Sequence, residues 1–123
     1  MKALLINHTN HPYARWSEPQ KLHTTEIYKE VIDMPFPNVD PRMSINDIRL
    51  KVIDQLDHLN LSYTNYDILI TGEMTYVYQY VTEASARRIR CICATTKRHT
   101  QTMDDGSILR TFTFIKYRDY ESI

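Results

Sequence analysis

Three short stretches hold the residues best suited to chemistry. Asn7-His8-Thr9-Asn10-His11-Pro12 sets two imidazoles three residues apart. Histidine titrates near neutrality, so His11, and less so His8, is a candidate for moving a proton. Leu69-Ile70-Thr71-Gly72-Glu73-Met74-Thr75 has the form of a strand, a tight turn and a helix start. The first backbone N–H groups of a helix have no internal partners and attract anions. Gly72, Glu73, Met74 and Thr75 are therefore a candidate cradle for phosphate. Glu73 is a carboxylate where an anion site would want none. Either the ligand offers hydroxyl or base N–H donors there, or Glu73 only caps the helix. Thr95-Thr96-Lys97-Arg98 adds two hydroxyls and two cations.

Imidazoles, hydroxyls and cations at strand ends suit a phosphate-bearing ligand. Arg15-Trp16 could clamp a phosphate and stack on a base, since guanidinium and indole planes both do so. The other reading makes Trp16 a staple between the loop and the helix after it. Lys97 and Arg98 could stabilise charge on a phosphate, or simply begin an exposed hairpin arm that lysine protects from edge pairing. His8 and His11 have the spacing of a loop metal pair, but no third ligand clusters with them, so no metal and no cofactor is expected. With only Gly72 and Gly106 in the chain, a glycine-rich phosphate loop is excluded. Cys91 and Cys93, two apart in a strand, should share one face and read as small core residues in a reducing cytoplasm.

These residues need a scaffold. Ala3-Leu4-Leu5-Ile6 is a continuous apolar run, as expected of a strand covered on both faces, and because it follows the amino terminus directly no signal peptide is expected. Ser17-Glu18-Pro19-Gln20 reads as a capping box opening a helix of about ten residues. Glu30–Met34 is a short second strand, followed by an extended stretch that Pro35, Pro37 and Pro41 enforce. Ser44 should cap a helix over Ile45–Leu59, whose apolar stripe is Ile45, Ile48, Val52, Leu56 and Leu59. Tyr66–Thr71 is the third strand. Thr75–Val81 fits strand and helix templates alike. A helix over Met74–Arg88 is preferred, because a parallel sheet needs a crossover there. Arg90–Ala94 is a fourth strand, and Asp105-Gly106 turns a hairpin with arms at 96–104 and 107–116.

The expected fold is one α/β domain over residues 1–123, a Rossmann-like α/β/α sandwich. Its sheet should be mostly parallel, with a C-terminal antiparallel hairpin. If the first and third strands are neighbours, His8, Asn10 and His11 meet Gly72–Thr75 and Thr95–Arg98 in one crevice. The formal net charge is zero, which argues against long nucleic acid as a partner. No apolar run reaches the ~18 residues of a membrane span.

The last sixty or so residues carry a more specific pattern. A strand ending in Gly72-Glu73 is followed by a helix and by a strand ending in Ala94-Thr95-Thr96-Lys97-Arg98. An Asp-Gly turn, Phe112, Phe114, Arg118 and Tyr120 complete it. This resembles the small ring nucleases related to the CRISPR-associated Rossmann-fold (CARF) domains. The first strand, with Asn7 and His11, fits more loosely, and residues 35–61 match only in having a helix. The resemblance implies a cytoplasmic homodimer that binds a cyclic oligoadenylate across its two-fold axis and cleaves it without metal, switching off a type III CRISPR response. Glu73 occupies an acidic position of the family.

In such a reaction a ribose 2′-hydroxyl attacks the adjacent phosphorus. Lys97, Arg98 or Arg15 is the candidate cation for the negative phosphorane. His11 is the candidate proton-transfer group. Gly72–Thr75, Thr95 and Thr96, with His8 and Asn10, would hold the ligand. Two other readings are a non-catalytic cyclic-nucleotide sensor or sponge, and a structural dimer that uses its tyrosine-rich helix and hairpin for contact alone.

Overall fold

Five strands form one sheet in the order β2-β1-β3-β4-β5. They are β1 (Lys2–His8), β2 (Tyr28–Asp33), β3 (Tyr66–Ile70), β4 (Cys91–Thr102) and β5 (Ile108–Asp119). The computed structural model describes residues 2–121. β1 pairs in parallel with both β2 and β3, β3 pairs in parallel with β4, and β5 runs antiparallel to β4. Three helices, α1 (Glu18–Ile27), α2 (Ile45–Ser62) and α3 (Met74–Ala86), make the crossovers. This is a Rossmann-like α/β fold with an antiparallel C-terminal hairpin.

The continuous apolar runs of β1 and β3 arise because both sheet faces are covered. Ile6, Ile68 and Ile70 pack under α2 and α3 against Val52, Leu56, Tyr76 and Tyr80. Their neighbours Leu5 and Leu69 turn the other way and meet Trp16, Tyr28 and Ile92 on the α1 side. α2 buries Ile48, Val52, Leu56 and Leu59, while the expected stripe member Ile45 is exposed. Its start is fixed by a reciprocal bond pair between Ser44 and Asp47. The ambiguous tyrosine run is helical and buries Tyr76, Tyr80, Val81 and Ala84. Every second tyrosine thus falls at an i, i+4 spacing, while Tyr78 stays exposed.

At the amino ends of the strands, buried Asp67 accepts bonds from the Tyr28 hydroxyl (2.6 Å) and from Arg90 (3.1 Å). Asp67 of β3 thus ties the start of β2 to the residue just before β4. At the opposite end, Gly72 lies against Phe36, and a Cβ on Gly72 would sit 2.4 Å from the Phe36 ring. This close approach anchors the proline-rich connection after β2.

The expected break between a fourth strand and a hairpin arm at Thr95 is not there. One twelve-residue strand, β4, serves both purposes. Its first residues pair with β3, and the rest leaves the sheet as an arm with β5. The junction is marked by a bulge: Thr95 pairs with Lys116 and Thr96 with Phe114, leaving Ile115 as the extra residue. The second strand also starts two residues earlier than its apolar pattern suggests, at Tyr28.

Candidate functional site

β1 and β3 are neighbours whose following helices lie on opposite faces, so the sheet reverses direction between them. Ligands of such folds sit at this switch point, beyond the carboxyl ends of the strands. A cleft of about 360 Å³ opens there on the α1 side. Thr9, His11 and Arg15 line it from the loop after β1, Thr71 from the end of β3, and Thr96, Phe112 and Phe114 from the hairpin.

Hydrogen bonds hold the loop bearing His11 and Arg15. The Asn7 side chain donates to the His11 carbonyl and to Asp33, both at 2.8 Å. Thr9 donates to Asn7 at 2.8 Å, and Asp33 accepts from the Tyr13 N–H at 3.1 Å. Trp16 is buried and gives its indole N–H to the same His11 carbonyl at 2.9 Å. The tryptophan is therefore the staple of the loop. A short 3-10 turn, Tyr13–Arg15, then places the exposed Arg15 before α1. α1 is capped by Ser17 and fixed to β5, where Tyr117 meets Thr24 at 2.7 Å and Gln20 at 3.2 Å.

The residues expected in one crevice are divided by the fold. His11, Arg15 and Thr96 line the cleft. Asn10 is exposed on the same loop but does not line it. His8 ends β1 on the other face and is buried. Its Nδ1 donates to the Met34 carbonyl at 2.6 Å, and its Nε2 lies 3.0 Å from the Tyr76 hydroxyl. Burial lowers its pKa, partly offset by the bond to Met34. His8 is a core residue of the α2–α3 side and cannot pair with His11.

The expected phosphate cradle at Gly72–Thr75 is occupied by the chain itself. The Glu73 carboxylate accepts from the Thr75 N–H (3.0 Å) and the Tyr76 N–H (2.9 Å). These bonds, with the Thr75 hydroxyl foremost, hold its pKa below the ordinary carboxylate value. Glu73 and Thr75 border a groove beside Pro41, and Met74 borders another along α3, neither of which contains His11 or Arg15. The α3 groove is larger, at about 510 Å³, but among the described residues no imidazole or cation lines it.

The Thr-Thr-Lys-Arg run is split by strand alternation. Thr96 faces the cleft, and Arg98 follows on the same face, paired with Phe112. Thr95 and Lys97 point to the opposite face, where the Thr95 hydroxyl donates to the Lys116 carbonyl at 3.1 Å. Lys97 therefore lies away from His11 and Arg15. Cys91 is buried on that same opposite face, and its thiol is pushed up to about 12 by burial.

Thr9 and Thr71 were not among the expected site residues, although each sits in a polar strand end that could have drawn notice. The place of Phe112 and Phe114 had no local signal, because their face depends on the bulge. Among the described residues, no group of three His, Cys, Asp or Glu side chains is placed to hold a metal ion. No helix among them is long and apolar enough to cross a membrane.

Residues 3–118 match the family model described as the uncharacterized protein MJ1673 family. The chain belongs to the MJ1673 family. No curated protein matches it. In this MJ1673-family chain, the matched region contains every residue that lines the cleft.

Proposed function

We propose that this protein is a ring nuclease of type III CRISPR signalling. It acts as a cytoplasmic homodimer that binds cyclic oligoadenylate, cyclic tetra-adenylate foremost, and opens the ring without a metal. The observation that carries the reading is the cleft at the switch point. There one locked loop brings His11 and Arg15 opposite the Thr96 hydroxyl. The resemblance of the last sixty residues supplies the ligand class. A symmetric ring is best gripped by a symmetric site, hence the two-fold dimer.

The chemistry follows from the groups in the cleft. The ribose 2′-oxygen attacks the adjacent phosphorus, and the bond from phosphorus to the 5′-oxygen breaks. His11 takes the 2′-hydroxyl proton, and water protonates the departing 5′-oxygen. The products end in a 2′,3′-cyclic phosphate and a 5′-hydroxyl. Arg15 meets the charge that grows on the phosphorane, with Arg98 further out on the hairpin. Thr71 and Thr96 supply hydroxyls that fix the phosphate in line, while the Thr9 hydroxyl holds the loop.

Calorimetric titration with cyclic oligoadenylates of several ring sizes tests the reading, with light scattering before and after. The expected result is tight binding of one ring size per dimer. A monomer that binds none of the rings would overturn it. Tight binding with no turnover would replace the enzyme by a sensor or sponge.

A further inference from the structure

The hairpin bulge decides which residues reach the cleft. Tyr117 pairs with Ala94 on the α1 face of the sheet. Strict alternation from Tyr117 would put Ile115 and Thr113 on that face and turn Phe114 and Phe112 away. The extra residue, Ile115, reverses the phase. Phe114 then pairs with Thr96, and Phe112 with Arg98, on the cleft side. Bulges of this kind re-aim side chains and are frequent beside active sites.

Phe114 is held in place: its ring lies edge-on to Tyr117, with centroids 5.2 Å apart, and tilted to His23 at 5.5 Å. Phe112 is different. It lines the same cleft, yet 64% of its surface is exposed. Half-buried Phe114 lies two residues along β5 on the same face. An exposed ring lining a concave site offers a flat apolar face on which a planar ligand group can lie. Arg98, the cation paired with Phe112 across the two strands, shares that face just beyond the residues that line the cleft.

We propose that Phe112 is a base-stacking platform. It takes one unpaired purine of the ligand on its ring, while Arg98 contacts the neighbouring phosphate. The bulge at Ile115 is the device that aims it. This rests on the nucleotide reading of the cleft and adds the group that would recognise the base. Stacking on an aromatic ring contributes enough per base for its loss to weaken binding by roughly ten-fold or more.

The test titrates cyclic tetra-adenylate into four dimer preparations checked by circular dichroism: wild type, Phe112→Ala, Phe112→Trp and a deletion of Ile115. Phe112→Ala should bind about ten-fold more weakly, and Phe112→Trp should bind like wild type. The deletion should behave like Phe112→Ala although both phenylalanines remain. Phe112 is exposed, so its alanine variant should fold even if the deletion does not. Wild-type affinity in Phe112→Ala would overturn the platform while leaving the nucleotide reading intact. If wild type itself binds no ring, the nucleotide reading fails and the platform with it.

Discussion

The Nε2 atom of His8 lies 3.0 Å from the Tyr76 hydroxyl, while its Nδ1 points at the Met34 carbonyl. A carbonyl can only accept, so Nδ1 carries the proton and Nε2 accepts from Tyr76. The imidazole is neutral and ties the end of β1 to the strand exit of β2 and to α3.

That arrangement makes stability depend on pH. Burial lowers the pKa of His8 below its ordinary 6.5. In that case the unfolded chain binds the proton more readily than the folded one. The stabilisation is complete above the unfolded value and is lost as pH falls through the folded value. Urea unfolding of wild type should show a midpoint that drops below about pH 6.5. His8→Gln should be less stable at neutrality but flatter across that window. Equal slopes in both proteins would refute the role.

Glu73 should behave as a cap and not as a ligand group. Its folded pKa is lowered, so its contribution is present above the ordinary value of 4.5 and lost on acidification through the folded value. Glu73→Ala should lower the melting temperature at neutral pH, and Glu73→Ser should recover part of it, since serine caps helices. Ligand affinity, read by calorimetry, should change little in either variant.

Gly72→Ala should cost about 1–3 kcal/mol of stability, as overpacking does. The added Cβ would meet the Phe36 ring at 2.4 Å. Phe36→Leu removes the ring it meets. The double variant should therefore be more stable than the two single losses summed, by a double-mutant cycle in urea.

Much of the fold is legible in the residues themselves. Ile48, Val52, Leu56 and Leu59 repeat at helical spacing, and Ser17 and Ser44 announce the helix starts they cap. Asp105-Gly106 does mark the hairpin turn, with Gly106 at a positive φ of 86°. The loop covers 103–107, however, and not two residues, because the Gly106 N–H closes a turn back onto the Met103 carbonyl. Both faces of β1 and β3 are buried, so their runs are continuous. The site was less legible because its assignments depend on partners distant in sequence. His8 looks like a loop residue until Met34 and Tyr76 fold over it. Lys97 and Arg98 are adjacent in the chain, and strand alternation sends them to opposite faces. The phase of Phe112 is set by a bulge that no local pattern marks.

The division of cations gives a direct contrast. Arg15 lines the cleft, and Lys97 projects from the other face of the hairpin. If the protein opens the ring as proposed, Arg15→Ala should lower turnover by about a hundred-fold while weakening binding much less, because the charge it would meet develops in the transition state. Lys97→Ala should leave both nearly unchanged. Steady-state kinetics with the two variants side by side would show it.

Under the proposed function, His11 and Arg15, held on one loop, act on a phosphodiester in the cleft. The most direct test is turnover of cyclic tetra-adenylate in EDTA by wild type and by His11→Ala, followed by mass analysis of the products. Wild type should give linear fragments ending in a 2′,3′-cyclic phosphate, and His11→Ala a rate at least about a hundred-fold lower. No product from wild type, or equal rates from the two proteins, would contradict it.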